Sequence, residues 1–234
     1  MFSSFVQVRG SIPFFWTQIP NPLQPKPDIL LQNDIDQNAV ATRKHFARMF
    51  QKYSSPIAVF NLTKATNARE ETVASEYRNF VNISLNKELP DALKIDFLHY
   101  DVKMNKKKVK SFPYDFFEHV KKRLDKIKFF SCLPCQRLPY DSDKPNRESR
   151  NKLCHIEIQR GTIRTNCIDS LDRTNFAQEI IGYKVCLMML RRMGLSDNEV
   201  IRMKSKLFKE ITGMYDEMGD QISMQYGGSI AHHA

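Results

Sequence analysis

Two residues of types that can handle phosphate, Cys167 and Arg173, are separated by five others in a stretch rich in turn formers. A thiolate can attack phosphorus, and an arginine can bind two phosphate oxygens at once. An arginine also follows Cys154 and Cys186 at the same distance in the sequence. Spacing alone therefore does not predict a catalytic site, and the elements around each cysteine must decide.

The other two cysteines lie in regular elements that hold the paired residues apart. The residues around Cys154 alternate as in a strand, where six steps separate the ends by about 20 Å. Cys186 falls within a predicted helix, where six residues rotate by about 600° and place the arginine on a different face. Neither cysteine can share one ligand with its arginine.

The residues around Cys167 predict a strand, a tight loop and a helix. Gly161 can turn the chain after one strand, and residues 162–165 return as the next. The loop contains three residues that favour turns and helix caps, Asp169, Ser170 and Asp172. Apolar side chains then recur at helical spacing, at Phe176, Ile180, Tyr183, Leu187 and Leu190. We expect the loop N–H groups and the positive helix end to converge on one point.

This order of elements predicts a phosphate-binding loop with a cysteine nucleophile. Arg173 is expected to bind two phosphate oxygens, and the neighbouring residues expected to bind the phosphate are Asn166, Ile168, Ser170, Leu171 and Thr174. The positive field is expected to lower the pKa of Cys167 from about 8.5 to about 4–6. Attack on phosphorus then gives a cysteinyl-phosphate that water hydrolyses, and this route needs no metal.

The group that protonates the leaving oxygen is left open by the sequence. Asp169 and Asp172 lie within the loop, and Asp101 ends a predicted strand whose tip could face it. Turn formation and helix capping are the alternative roles of the two loop aspartates. Arg9 could reach the phosphate from an early strand, with a salt bridge at a sheet edge as the alternative.

Strands and helices alternate along the chain, which is typical of an α/β fold. The pattern predicts helices within 39–50, 73–81 and 116–127, and strands at 5–8, 57–62 and 95–100. We expect a mixed, partly parallel sheet flanked by helices, with the Cys-x5-Arg loop between a strand and the long helix. Residues 141–152 are polar or charged apart from one proline and predict an exposed loop.

Composition limits the partners and the compartment. The 234 residues carry a net charge of +10, which favours polyanionic partners. Five cysteines without a signal peptide indicate a reducing, cytosolic compartment, and no apolar run reaches the roughly 20 residues that span a membrane. The lysine run 106–108 with Lys110 predicts either a solvated loop or a contact with anionic lipid. No aromatic residues interleave with it, which argues against nucleic acid.

One further cysteine pair resembles a metal site. Cys132 and Cys135 have the spacing of half a zinc site. No second pair follows at a suitable distance in the sequence. Cys154 and His155 are adjacent in a predicted strand, so their side chains point to opposite faces and are poorly placed to complete the site. We therefore predict no metal and no other cofactor.

Residues 164–175 resemble the catalytic signature of the Sac-domain phosphoinositide phosphatases. Residues 5–13, followed by Trp16 and Gln18, are similar to a second block of that family and stand in the correct order. The resemblance implies a Cys-based phosphatase that acts on inositol-ring phosphates. The family also has an aspartate that matches Asp101.

Residues 49–57 and 219–229 resemble the polyphosphoinositide phosphatase branch of this family. This implies removal of the 5-phosphate of phosphatidylinositol 3,5-bisphosphate by a cytoplasmic protein that is peripheral on endosomal or vacuolar membrane. The implied partners are the lipid headgroup, the anionic membrane surface, a helical-repeat scaffold and the lipid kinase that makes the substrate. Since the family has an N-terminal lobe before the first block, we expect residues 1–234 to form the catalytic part alone.

Two alternatives to this phosphatase are open. A module that binds a phosphoinositide without turnover would keep the loop, and a missing lobe would favour it because a site needs rigid support. A protein tyrosine phosphatase would share the loop chemistry, but the resemblance of residues 5–16 argues against it.

Overall fold

The computed structural model of the protein describes residues 2–19, 27–32, 37–108, 114–132, 156–196, 202 and 204–231. The strands in these residues are β1 (Phe2–Ser4), β2 (Gln7–Gly10), β3 (Trp16–Gln18), β4 (Ile29–Leu31), β5 (Ile57–Asn61), β6 (Asp96–His99), β7 (Phe130–Cys132), β8 (Ile156–Glu157) and β9 (Thr162–Asn166). The α-helices are α1 (Val40–Tyr53), α2 (Ala68–Asn79), the single turn α3 (Asn86–Glu88), α4 (Val102–Lys108), α5 (Tyr114–Ile127), α6 (Asp172–Arg192) and α7 (Lys206–Gly227). A π-helical segment, Phe80–Leu85, continues α2.

The central sheet has four strands in the order β2-β9-β5-β6, and each neighbouring pair is parallel. Two smaller antiparallel sheets accompany it, with the orders β1-β7-β8 and β3-β4. The mixed, partly parallel α/β fold predicted from the sequence is therefore confirmed. Because the central strands are parallel, their carboxyl ends meet at one edge of the sheet.

Alternate side chains of β5 divide between two apolar clusters, one on each face of the central sheet. Ala58 and Phe60 pack with residues of α5 and α6, whereas Ile57 and Val59 pack with residues of α1 and α2. All of β5 is buried, as expected for a parallel strand between two helical layers. The sheet is thus held rigidly from both sides beneath the edge where the loop lies.

The predicted elements correspond to observed ones with small shifts. The helices predicted within 39–50, 73–81 and 116–127 are α1, α2 with its π-helical continuation, and α5. The first strand begins later than expected, because the backbone of Val6 bonds to the side chain of Gln159 and the parallel ladder starts at Gln7. The predicted loop 141–152 lies outside the described residues.

The lysine run 106–108, for which a loop was one expectation, lies in helix α4. Asp101 caps that helix by accepting a hydrogen bond from the N–H of Met104 at 2.9 Å. The side chains of residues 106–108 and all of Lys110 lie outside the described residues, so the contact with anionic lipid stays a prediction. None of the helices in the described ranges combines the length and apolarity needed to cross a bilayer.

Candidate active site

The segment Cys167–Leu171 joins β9 to α6 at the carboxyl edge of the parallel sheet. All of β9 is buried, and no side chain caps α6 at Leu171. Ser170 has a φ of 60°, in the left-handed region that non-glycine residues adopt rarely and that clusters at functional sites. Within the described residues, the N–H groups of Ile168, Asp169 and Ser170 have no hydrogen-bond acceptor. Such a segment is suited to bind an anion.

The thiol of Cys167 lies fully buried at the start of this segment. It donates a hydrogen bond to Oδ1 of Asp169 at 3.0 Å and accepts one from Oγ1 of Thr174 at 3.1 Å. The same Oδ1 of Asp169 accepts the N–H of Leu171 at 3.1 Å. The carboxylate of Asp169 is therefore fixed beside the sulfur, in contact with the proton of the thiol.

Burial raises the pKa of the Cys167 thiol to about 11, the charge of Asp169 adds to the rise, and the charge of Arg173 opposes it. The prediction that this pKa falls to about 4–6 is therefore wrong for this geometry. The sequence indicates the positive end of a helix, but it does not reveal that the sulfur is excluded from water or that a carboxylate lies beside it. In this arrangement the thiol is protonated at neutral pH.

The raised pKa predicts slow alkylation of Cys167 at neutral pH. Since the pKa in the folded protein exceeds the ordinary value of 9.0, the protonated thiol stabilises the fold; this contribution is complete below about pH 9 and is lost as the pH rises through about 11. Labelling with iodoacetamide, read by mass spectrometry across this range, should modify Cys167 more slowly than the half-buried Cys132 at neutral pH. Faster labelling of Cys167 at neutral pH would contradict the raised pKa.

The guanidinium of Arg173 lies at the same edge and is held by a glutamate from α2. Its Nη1 and Nη2 donate to Oε2 and Oε1 of Glu70 at 2.6 and 3.2 Å, and Nη1 also donates to the carbonyl of Leu62 at 3.1 Å. Both side chains of this pair are largely buried, with exposed fractions of 19% and 11%. Arg173 thus has a bidentate carboxylate partner, and its role as a phosphate clamp stays a prediction.

Glu70 is not among the residues predicted from the sequence, although the sequence contains a signal. Asn67 and Glu70 have the spacing of a capping box, which suggests only a helix start. In the structure Asn67 does cap α2, by accepting the N–H of Arg69 at 3.0 Å. Glu70 instead accepts the N–H of Lys64 at 2.9 Å and binds Arg173. Its contact with Arg173, 103 residues later, could not be read from the local pattern.

Arg9 contacts the loop, and its donors go to backbone and amide oxygens. Nη2 donates to the carbonyls of Ser170 and Leu171, the latter at 3.2 Å, and Nη1 donates to Oδ1 of Asn175 at 2.9 Å. The alternative of a salt bridge has no support among the described residues, where no carboxylate pairs with Arg9. Arg9 therefore supports the loop, and its direct contact with phosphate stays a prediction.

Helix α7 is connected to this support through Asn175. The amide Nδ2 of Asn175 donates to the carbonyl of Tyr215 at 2.7 Å, and the hydroxyl of Tyr215 accepts from Nε2 of Gln7 at 2.7 Å. The first strand of the central sheet, the start of α6 and the middle of α7 are thus joined by side-chain hydrogen bonds beside the loop.

A buried arginine, Arg164, fastens the strand ends beneath the loop. It is 2% exposed and donates to Nε2 of His45 at 2.8 Å, to Oδ1 of Asn166 at 2.8 Å and to the carbonyl of Ser11. Asn166 in turn donates to Oδ1 of Asn61 at 2.8 Å. Burial, with the charge of Arg164, lowers the pKa of His45 to about 4, so the imidazole is neutral and accepts the bond. The side chain of Asn166, which was predicted to bind substrate, is used in these hydrogen bonds to Arg164 and Asn61.

The three candidate acids occupy different surroundings. Asp101 is 4% exposed, and its carboxylate accepts the N–H groups of Ala65 and Met104, each at 2.9 Å. Asp172 is exposed at the first residue of α6. Asp169 is the one of the three whose carboxylate has a recorded contact with Cys167. Geometry therefore favours Asp169 as the proton carrier.

The remaining predicted residues lie around the loop or outside the described part of the chain. Ile168 is buried in the apolar cluster that includes α1 and α2. Cys132 is half-buried in β7, whereas Cys135, Cys154 and His155 lie outside the described residues. Among the described residues no three His, Cys, Asp or Glu side chains are grouped as metal ligands. The prediction about zinc concerns the residues outside this part and stays a prediction.

Comparison with known proteins gives matches along the whole chain. The curated "Phosphoinositide phosphatase SAC4" of Arabidopsis thaliana is 32% identical over 99% of this chain and 32% of its own length. The "Polyphosphoinositide phosphatase" of Schizosaccharomyces pombe is 32% identical over 98% of this chain and 26% of its own length. The "Phosphatidylinositol-3-phosphatase SAC1" of Drosophila melanogaster is 30% identical over 98% and 35% respectively. The chain spans between about a quarter and about a third of the length of these relatives.

A family match agrees with these relatives. Residues 1–121, more than half of the 234 residues, match the sequence model described as the SacI homology domain. The match includes Arg9 and Glu70, and the relatives extend the similarity over the loop that contains Cys167 and Arg173. The chain therefore belongs to the SacI homology domain family.

Proposed function

We propose that the chain hydrolyses an inositol-ring phosphate monoester of a phosphoinositide, with Cys167 as the nucleophile. The observation that carries the proposal is the convergence of a thiol, a carboxylate and a guanidinium at the N-terminus of α6, where no side chain caps the helix. Relatives named phosphoinositide phosphatases support the substrate class. Residues 1–234 would then be the catalytic part of a longer domain.

The proposed first step transfers the phosphoryl group to the sulfur of Cys167. As sulfur attacks phosphorus, the thiol proton moves to Oδ1 of Asp169, to which it is already hydrogen-bonded at 3.0 Å. The bond between phosphorus and the inositol oxygen breaks, and Asp169 delivers that proton to the leaving oxygen. Arg173 and the loop N–H groups stabilise the equatorial oxygens as their charge changes.

The proposed second step releases phosphate from the cysteinyl-phosphate. Asp169, now ionised, accepts a proton from a water molecule while the water oxygen attacks phosphorus. The bond between sulfur and phosphorus breaks, and the thiolate takes the proton from Asp169, which restores the starting thiol and carboxylate. The one carboxylate thus accepts a proton and gives it up again in each step, which accounts for its position beside the thiol.

The finer proposal concerns the ring position and the membrane. The 5-phosphate of phosphatidylinositol 3,5-bisphosphate is favoured by the resemblance of residues 49–57 and 219–229 to the polyphosphoinositide phosphatase branch. The relative from Schizosaccharomyces pombe, named a polyphosphoinositide phosphatase, supports a headgroup with more than one phosphate. Other relatives are named phosphatidylinositol-3-phosphatases, so the 3-phosphate is the alternative position. The net charge of +10 supports binding to an anionic membrane surface. A peripheral position on endosomal or vacuolar membrane, with a helical-repeat scaffold and the lipid kinase as partners, completes the proposal.

Phosphate release from a panel of short-chain phosphoinositides tests the proposed function. Release should be largest for the lipid phosphorylated at positions 3 and 5, and the product should retain the 3-phosphate. An Asp169→Asn variant should lose about a hundredfold in rate on the lipid and also lose rate on p-nitrophenyl phosphate, because Asp169 takes the thiol proton and activates water whatever the leaving group. A loss of less than about tenfold on the lipid would reject Asp169 as the proton carrier, and release of the 3-phosphate would reject the proposed branch.

A second candidate function is a module that binds a phosphoinositide without turnover. It is favoured by the protonated, buried thiol of Cys167 and by the engagement of Arg173 with Glu70. The same panel separates the two candidates when binding is recorded by calorimetry beside release. Binding without release from folded protein would support the module and reject the phosphatase.

A further inference from the structure

We propose that Glu70 is the positioning residue that fixes Arg173 as a phosphate clamp. The inference rests on the proposed function, because it assigns a role within the same site. Its basis is the bidentate pair in which Nη1 and Nη2 of Arg173 donate to the two oxygens of Glu70 at 2.6 and 3.2 Å.

The pair uses one edge of the guanidinium and leaves the other available. A guanidinium has five N–H donors, and an oxoanion can bind either across Nη1 and Nη2 or across Nε and Nη2. Glu70 takes the first edge, and the carbonyl of Leu62 takes the remaining Nη1 hydrogen at 3.1 Å. Within the described residues, Nε of Arg173 has no acceptor. The second edge, Nε with Nη2, is therefore the one that phosphate oxygens can bind.

Glu70 is itself held firmly enough to act as an anchor. Glu70 is largely buried in the first turn of α2, where the positive end of the helix favours a carboxylate. Its Oε2 accepts the N–H of Lys64 at 2.9 Å, and its Oε1 lies 3.8 Å from Nζ of the same lysine. A fixed carboxylate thus orients a flexible arginine side chain before any anion binds, which lowers the entropic cost of forming the clamp.

The positioning role predicts that Glu70 acts through Arg173. Glu70→Gln keeps the size of the side chain and one acceptor but loses the second charged contact, so Arg173 should be held less well. We expect orthovanadate, a mimic of the transferring phosphoryl group, to bind about tenfold more weakly. Arg173→Lys removes the two-edged fork, so adding Glu70→Gln to that variant should cause little further loss.

Calorimetry with orthovanadate on the two single variants and the double variant measures this coupling. Glu71→Gln is the matched control, because Glu71 lies next to Glu70 on the same helix but pairs with Arg78 at 3.2 Å; its affinity should equal that of the wild type. Glu70→Asp, with the carboxylate retained, should recover part of the lost affinity. Thermal unfolding of each variant identifies any that fails to fold, and Glu70→Asp then replaces Glu70→Gln in the cycle.

Several outcomes would overturn the positioning role. If Glu70→Gln lowered the affinity for vanadate equally in the wild type and in Arg173→Lys, Glu70 would act through a residue other than Arg173. Unchanged binding would reject the role, and tighter binding would mean that the carboxylate blocks the clamp. Because vanadate binding does not require turnover, a wild type that binds vanadate but releases no phosphate would reject the phosphatase alone. Normal lipid turnover with unchanged vanadate affinity in Glu70→Gln would reject the positioning role alone.

Discussion

Replacement of Cys167 by serine is expected to abolish phosphate release while leaving the fold intact. The serine hydroxyl can keep the hydrogen bonds to Asp169 and Thr174, so stability should change by no more than about 1 kcal/mol. An alcohol is a far weaker nucleophile than a thiolate, and its phosphate ester would not be hydrolysed readily by the same steps. Loss of the nucleophile should lower kcat by about four orders of magnitude or more.

Cys186→Ser provides the matched control for this substitution. Cys186 also precedes an arginine by six positions, but it lies half-buried within α6, away from the loop. The control should release phosphate at the wild-type rate and unfold at a similar temperature. If Cys167→Ser retained more than about a hundredth of the activity, catalysis would not depend on a covalent intermediate. Capture of phosphorus-labelled protein by acid quench, absent in Cys167→Ser, would identify the intermediate directly.

Substitution of Gly161 by alanine is expected to cause the largest loss of stability. Gly161 has a φ of 74°, and a Cβ there would lie 1.8 Å from the carbonyl oxygen of Pro56. The backbone cannot easily retreat, because the N–H of Gly161 donates to Tyr53 at 2.9 Å and the N–H of Thr162 donates to Pro56 at 3.1 Å. These bonds start β9, so strain there reaches the strand that carries Cys167. We expect the free energy of unfolding to fall by about 4 kcal/mol.

Gly194→Ala is a control that separates two contributions to the expected loss of stability, the steric clash of the added Cβ and the left-handed backbone conformation. Gly194 has a nearly equal φ of 69°, but a Cβ there would meet no atom within 4 Å. Its substitution should cost only about 1 kcal/mol, the penalty of the left-handed region for a residue with a Cβ. Urea unfolding followed by circular dichroism gives both values. Similar losses at the two positions would show that the contact with Pro56 does not determine the stability of the turn.

Short-range pattern was sufficient to predict most elements of this fold. An apolar run predicts the strand around Val59, and apolar side chains at helical spacing predict the helix that contains Val120. Both patterns are local, because each element buries its apolar side chains in a packed layer. The start of β2 was less predictable. The backbone N–H of Val6 donates a hydrogen bond to the side chain of Gln159, 153 residues later, and no local pattern predicts such a contact.

The candidate site divides in the same way. Cys167 and Arg173 could be named from the strand, loop and helix around them. The burial of the Cys167 sulfur could not be predicted from that pattern, and therefore the predicted direction of its pKa shift was wrong. Asp101 was a reasonable candidate acid by position, yet its carboxylate is used by two backbone N–H groups. Glu70 was hidden behind a capping pattern because its partner lies far along the chain.

The support around Arg9 has a consequence for how the site comes into being. Its bond to Asn175 closes a span of 166 residues, and the bond from Gln7 to Tyr215 closes a span of 208. Loops of this length cost conformational entropy that is recovered only when the sheet and both long helices are docked. The geometry of the cysteine loop is thus a cooperative property of the assembled chain. A peptide of residues 162–192 would keep the motif and lose the site.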